Sequence, residues 1–339
     1  MKKQNLGQFN TKNDVWLQPQ VKEFIRHSGC VFGIDPFAGQ GDLVHAAKEL
    51  GLNQVMGYDI DPEINKKYGW WWNDSLESIP SASLGTILIT NPPYLAKNSA
   101  NRNDYDGYKY FAGNNYEDLY QLAIEKVIQK YKYSVLIIPE TYFQNKIAEE
   151  HLVSYTVLEE NPFVDTDCPV CVVCFDVRND FMLLSQNEYK IYKKDEFLFT
   201  NFQLEDLLHE FIPNKDCDIT FNAPEGNLGL RAVDGTDPND RIRFCRPEDL
   251  GYSLDDIKES SRAITVLDVP YKIDDKFFQI VNWYLETIRA TTHDVIFAPF
   301  KNNNKDGERR RRLDYGWARK IINLTIEGLT NGKKVLYYD

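Results

Sequence analysis

The spacing of apolar positions changes about halfway along the chain, and the change divides it. In the first half, short runs of branched apolar residues alternate with stretches of helical period. Pro19 suits a first helical turn, with Val21, Phe24 and Ile25 on one face and Gly29 as the stop. A strand is expected over 30–34, a helix over 43–50 closed by Gly51, and a second strand over 54–58. A short third strand is expected at the tryptophans 70–72 and a fourth over 87–90. A helix follows from Glu117, with Leu119, Leu122, Ala123 and Val127 on one side, and then strands over 134–138 and 169–175. Between them, 95–116 is rich in Asn and Tyr, has no period and reads as a long loop. This half is α/β. From about Val177 the rhythm is lost: strand-like pieces at 189–192 and 263–269 mix with helices near 204–211, 277–288 and 317–324. The expectation is a first domain over 1–176 and a smaller α+β domain over 177–339.

Length and charge narrow the picture. A chain of 339 residues can bury a large core and suits two domains. No apolar run reaches membrane-spanning length, and the polar N-terminus lacks a signal-peptide core, so a cytoplasmic protein is expected. A formal net charge of −12 argues against a surface that sheaths nucleic acid throughout. It leaves room for a local basic groove. Residues 289–320 hold nine Lys/Arg against four Asp/Glu, including Arg309, Arg310, Arg311 and Arg312. Such a run is either solvated surface or a phosphate-binding stretch. Arg231, Arg241, Arg243 and Arg246 stand in Gly/Asp/Pro/Asn-rich sequence and read as exposed loop residues. Cys168, Cys171 and Cys174 are evenly spaced, but a strand turns Cys171 away from the other two, so no metal is expected.

Two stretches carry the candidate chemistry. The strand over 87–90 runs into Asn91-Pro92-Pro93-Tyr94, where two prolines force the chain out of the sheet at a strand's carboxyl end. An amide oxygen, a free carbonyl and a flat ring there can hold the exocyclic amine of a conjugated group. Earlier, Asp35-Pro36-Phe37-Ala38-Gly39-Gln40-Gly41-Asp42 links a strand to a helix, with Asp59 20 residues beyond Gly39, a spacing that puts a carboxylate on a ribose diol. A phosphate cradle would want a third glycine or a Gly-Lys-Ser/Thr ending, and neither is present. The glycines either let a ligand approach the backbone or serve the turn alone.

Asn91–Tyr94 after an apolar strand resembles the signature of S-adenosylmethionine-dependent amino-methyltransferases. With Gly7-Gln8-Phe9, Thr11, the Asp35 loop, Asp59, Asp74 and Phe163, the order is similar to the gamma class of N6-adenine DNA methyltransferases of restriction–modification systems. The resemblance covers roughly 1–176, and it departs at Lys12, where many relatives have proline. It implies a Rossmann-like methyltransferase domain followed by a target-recognition domain. It also implies S-adenosylmethionine as cofactor, held by Thr11, Asp35, Gly39, Gly41, Asp59 (ribose) and Asp74 (adenine N6). Asn91, Pro92, Pro93 and Tyr94 would be catalytic, with Tyr94 and Phe163 stacking on opposite sides of an extruded adenine. Sequence reading would fall to arginines of the second domain and phosphate contact to Arg309–Arg312. The implied partner is double-stranded DNA, with room for a cognate restriction endonuclease. RNA adenine and protein glutamine remain alternative targets, as does a binding module without turnover.

Overall fold

A computed structural model describes residues 11, 14–163, 166–177, 187–253, 255 and 257–331. Gly7, Gln8, Phe9 and Lys12 lie outside the described residues. The chain divides into two compact units, Met1–Asn201 and Phe202–Asp339.

Among the described residues, the first unit is built on a nine-stranded sheet. Its strands are β1 (Phe32–Asp35), β2 (Gln54–Asp59), β3 (Trp71–Trp72), β4 (Thr86–Thr90), β5 (Tyr133–Pro139), β6 (Leu152–Val157), β7 (Val170–Asp176), β8 (Lys190–Lys193) and β9 (Glu196–Thr200). They lie in the order β3-β2-β1-β4-β5-β7-β6-β8-β9. The strands from β3 to β5 are parallel neighbours, and β7 enters antiparallel between β5 and β6. This is the Rossmann-like α/β architecture. Every residue of β4 is buried, as a central parallel strand covered on both faces requires. The helices are α1 (Pro19–His27), α2 (Asp42–Glu49), α3 (Pro62–Tyr68), α4 (Lys97–Arg102), α5 (Leu119–Ile128) and α6 (Tyr142–Asn145). In α1, Pro19 stands in the first turn and Val21 and Ile25 are buried. The chain reverses direction across the sheet between β1 and β4, so the loops leaving both strands emerge side by side.

Three features depart from the sequence reading. The stretch 95–116 is not a bare loop: it holds α4 and a 3-10 helix over Asp106–Phe111. Leu95, Ala100, Tyr110 and Phe111 pack with Leu76, Leu119 and Leu122 in one cluster, too few and too widely spaced to register as a period. The sequence reading also passes over β6. Finally, β8 and β9 belong to the first sheet, with β8 parallel to β6 and β9 antiparallel to β8, so the first unit runs on to Asn201.

In the second unit, α7 (Asn201–His209) leads into β10 (Thr220–Phe221), β11 (Leu228–Arg231), β12 (Arg243–Cys245) and β13 (Ile264–Asp268). These form an antiparallel sheet in the order β10-β13-β11-β12. Helix α8 (Asp275–Thr291), a hairpin of β14 (Ala298–Asn303) and β15 (Arg309–Arg312), and α9 (Tyr315–Thr330) follow. At its centre the Arg289 guanidinium, only 5% exposed, donates twice to Asp234 (2.9 Å each) and twice to Asp294 (2.8 and 3.0 Å). Asp234 also accepts from the backbone N–H of Arg311 (2.9 Å), which ties β15 to this network.

The arginine run needs correcting in this light. Because 309–312 is a strand, its side chains alternate between faces, and Arg311 is 2% exposed, reaching the Phe297 carbonyl. It is not available to a phosphate. Arg310 donates to the Asp234 carbonyl (2.8 Å) with its guanidinium over the Phe300 ring, and Arg309 donates to Asn303 (3.0 Å). Of the other arginines, Arg241 and Arg246 lie outside the strands and are about half exposed as expected, whereas Arg231 and Arg243 stand in β11 and β12. Arg231 and Arg243 both pair with Asp240, Arg241 with Glu286 and Arg246 with Asp275.

Candidate functional site

The two motifs come together because β1 and β4 are hydrogen-bonded neighbours, although 55 residues separate Asp35 from Thr90. The Thr90 hydroxyl donates to Asp35 at 2.6 Å, joining the glycine loop to the segment that opens at Asn91. Asp35 itself is 1% exposed and also accepts from the Phe37 N–H (3.0 Å). Burial pushes its carboxyl up to about 7. In this structure its carboxylate is engaged with the Phe37 N–H and the Thr90 hydroxyl, which brace the loop.

The loop has a second brace, the Trp70 indole, which the sequence reading counted only as strand. Its Nε1–H donates to the Gly39 carbonyl (3.0 Å), and its ring fills the space where Gly41 and Gly57 lack side chains. Gly41 sits in the left-handed region (φ 89°), and a Cβ there would stand 2.6 Å from the ring. Gly39 (φ 49°) has nothing closer than 4.0 Å to such a Cβ. Its N–H donates to Asp59 (3.0 Å), which also accepts from the Asp61 N–H (2.8 Å). Burial raises the Asp59 carboxyl above its ordinary range.

In front of the loop is a narrow cleft of about 30 Å³, well below the size of ordinary ligand sites. Asp59, Asn73, Asp74 and Ser75 give it polar groups, and Phe37, Ile60, Leu76 and Pro93 give it apolar walls. Thr11, Asp35, Gly39 and Gly41 are not in its walls. Thr11 is buried and makes a single bridge with Phe163. Tyr110, from the stretch expected to be a bare loop, lines the cleft and donates to Asp74 (2.8 Å), with Lys109 3.6 Å from the same oxygen. Only the fold could reveal that contact, since 36 residues separate the pair.

Asn91 is half-buried at the carboxyl end of β4, and Pro92, Pro93 and Tyr94 are buried. The Tyr94 hydroxyl lies within hydrogen-bonding reach of the Asn91 amide oxygen and of the Ile137 carbonyl (2.6 Å). Burial raises the phenol well above its usual range, so it stays protonated and donates. The expected pair of stacking walls is not formed. Tyr94 and Phe163 meet edge to face, with centroids 6.0 Å apart and planes at 67°, so the rings contact each other and leave no parallel slot.

Residues 72–163 match the model of a family described as Eco57I restriction-modification methylase. No curated protein matches the chain. Among solved structures, it is similar to the methyltransferase subunit of a type I restriction-modification system from Streptococcus thermophilus. The identity is 16% and the TM-score 0.40, over 60% of this chain and 53% of that one, so the match spans about half the length of that relative. It is also similar to the M protein of the type I restriction enzyme EcoKI (13%, TM-score 0.37, 94% of this chain and 71% of that one). A TehB-like SAM-dependent methyltransferase from Corynebacterium glutamicum matches at 16% (TM-score 0.29, 46% of this chain and 86% of that one). At such scores these likenesses add nothing to the strand order already described. The segment 72–163 that is similar to the Eco57I restriction-modification methylase family contains Asp74, Asn91–Tyr94 and Phe163.

Proposed function

We propose that this chain is a site-specific DNA methyltransferase that moves a methyl group from S-adenosylmethionine to N6 of an adenine drawn out of the duplex. One observation carries the reading: Asp59, Asp74 and the Asn91–Tyr94 segment, through Pro93, meet at one cleft beside the switch point of the sheet. The residues there suit the cofactor. Asp59 and Asp74 offer acceptors for ribose hydroxyls and an exocyclic amine, and Phe37, Ile60 and Leu76 offer apolar faces to a purine. When bound, it supplies an electrophilic methyl group on a sulfonium.

The chain's own residues supply the geometry. The lone pair of adenine N6 is delocalised into the ring, so the amine is a weak nucleophile. Hydrogen bonds from its two N–H groups to the Asn91 amide oxygen and the Pro92 carbonyl favour a tetrahedral nitrogen with a free lone pair, and the cationic methylated nitrogen releases one proton to water. The protonated Tyr94 hydroxyl, shared between Asn91 and the Ile137 carbonyl, fixes the amide's orientation. Rate then comes from positioning and electrostatics. Stacking the extruded base on Tyr94 requires its contact with Phe163 to open. An aromatic pair contributes about 0.5–1.5 kcal/mol, whereas base stacking returns about 1–3 kcal/mol. A restriction endonuclease acting at the same site is the protein partner this reading allows.

The test is incubation with labelled cofactor and plasmid DNA, followed by mapping of methylated adenines. Wild-type protein should label adenines in one sequence context. Asn91→Ala should lose at least about 10²-fold in turnover while calorimetry still records cofactor binding. Label on RNA or protein but not DNA would sink the assignment, and near-normal turnover by Asn91→Ala would sink the mechanism.

A further inference from the structure

We infer that a cleft of the second unit, between residues 259–262 and 312–315, reads base-pair edges through Arg262 and Arg312, with a G·C pair as the preferred target. The inference rests on the DNA methyltransferase reading and deepens it. The second unit has eleven arginines. Nine are committed: Arg231, Arg241, Arg243 and Arg246 to the ion pairs already described, Arg289 to the buried network, Arg309, Arg310 and Arg311 to β15 and its surroundings, and Arg319 to the Ile219 carbonyl (2.9 Å). The guanidiniums of Arg262 and Arg312 have no hydrogen bond, ion pair or ring contact with any described residue, and both line the same cleft of about 350 Å³.

The rest of the cleft decides the ligand class. Glu259 stands in its wall with a carboxylate that is also unengaged among the described residues, whereas the Asp314 carboxylate is used to cap α9. A phosphate would be repelled by Glu259. A base-pair edge would not, because it offers acceptors and a donor together. An arginine fork fits guanine O6 and N7, and a carboxylate accepts from cytosine N4. The cleft is also held rigidly. The Tyr315 ring stacks on Phe221 at 4.2 Å, the Arg319 guanidinium covers Phe221 at 5.3 Å, and the Tyr315 hydroxyl is bound to the Ser261 carbonyl. Arg312 projects from a strand tied to Asp234 through the neighbouring residue. A rigid scaffold with free functional groups at its edge loses little entropy on binding.

The experiment uses the full chain and a pool of duplexes with a randomised centre, sequenced after selection for binding. Wild-type protein should enrich a sequence containing at least one fixed G·C pair. Arg262→Ala and Arg312→Ala should each lose a fixed position and bind the enriched duplex roughly 10- to 100-fold more weakly. Their affinity for a scrambled duplex and its salt dependence should match wild type. Both side chains lack partners among the described residues, so the variants should fold, which circular dichroism checks. An unchanged preference would overturn the inference. So would equal weakening on every duplex with a salt slope reduced by about one, which marks a phosphate contact. A wild-type protein that retains no duplex overturns this inference and the methyltransferase reading together. Enrichment by wild type with both variants unaltered overturns this one alone.

Discussion

Trp70 makes the glycine loop testable, because three glycines around it differ in what alanine would meet. At Gly39 a Cβ finds open space, so the cost is that of the left-handed backbone alone (φ 49°), about 1–2 kcal/mol. At Gly57 the backbone takes no left-handed conformation, but the Cβ would lie 2.6 Å from the indole Cε3 and 3.0 Å from the Ala38 Cβ. The cost there is overpacking, about 1–3 kcal/mol. Gly41 combines both, with φ 89° and a 2.6 Å approach to the same ring. The ring cannot easily give way, because its N–H is held by the Gly39 carbonyl at 3.0 Å. Gly41→Ala should therefore cost about 2–5 kcal/mol, a large share of a typical total of about 5–15. Urea denaturation of the three variants, alone and combined with Trp70→Leu, separates the terms. Removing the indole should cancel most of the Gly57→Ala penalty, part of the Gly41→Ala penalty and none of the Gly39→Ala penalty. If Trp70→Leu leaves the Gly57→Ala penalty unchanged, the indole is not what the loop is built against, and the reasoning fails.

Two further perturbations test the buried charges. Burial raises both Asp35 and Asp118 from 3.8 to about 7, so between those values the folded chain holds protons that the unfolded chain has released. Stability should fall as pH rises from about 4 to about 7, by at most about 4 kcal/mol per group. Asp35→Asn retains an acceptor for Phe37 and Thr90 and should remove about half of that fall, whereas urea midpoints at pH 5 and pH 8 that move in parallel with wild type would refute it. In the second unit, Asp234→Ala leaves Arg289 buried with Asp294 as its remaining acid and should cost about 3–5 kcal/mol. A loss below about 1 kcal/mol would show that the network does not hold β15 in place.

The reading of β1, β2, β4 and α1 from sequence succeeded because their patterns are local: a branched apolar run bounded by turn residues, or an amphipathic period opened by proline. The acids at 59 and 74 turn up in the wall of one cleft. The misread elements depend on partners distant in the chain. Strands β8 and β9 look like any short strand until β6 supplies a neighbour, and β6 itself carries no distinguishing period. The segment 95–116 acquires its helices by docking Tyr110 and Phe111 on Leu76 and Leu119, contacts that no window of adjacent residues contains.

The amino-acid sequence by itself determined the alternating α/β rhythm, the exit from β4 at a double proline and the residue types available for amine chemistry. All of these follow from backbone sterics and side-chain identity, which act within a few residues. Only the tertiary structure decided how those groups are used. It tied Asp35 to Thr90 and the Phe37 N–H, turned Tyr94 edge-on to Phe163, buried Arg311 and left the guanidiniums of Arg262 and Arg312 unengaged among the described residues. Exposure and pairing depend on which distant side chain arrives alongside, and a linear pattern holds no record of that arrival.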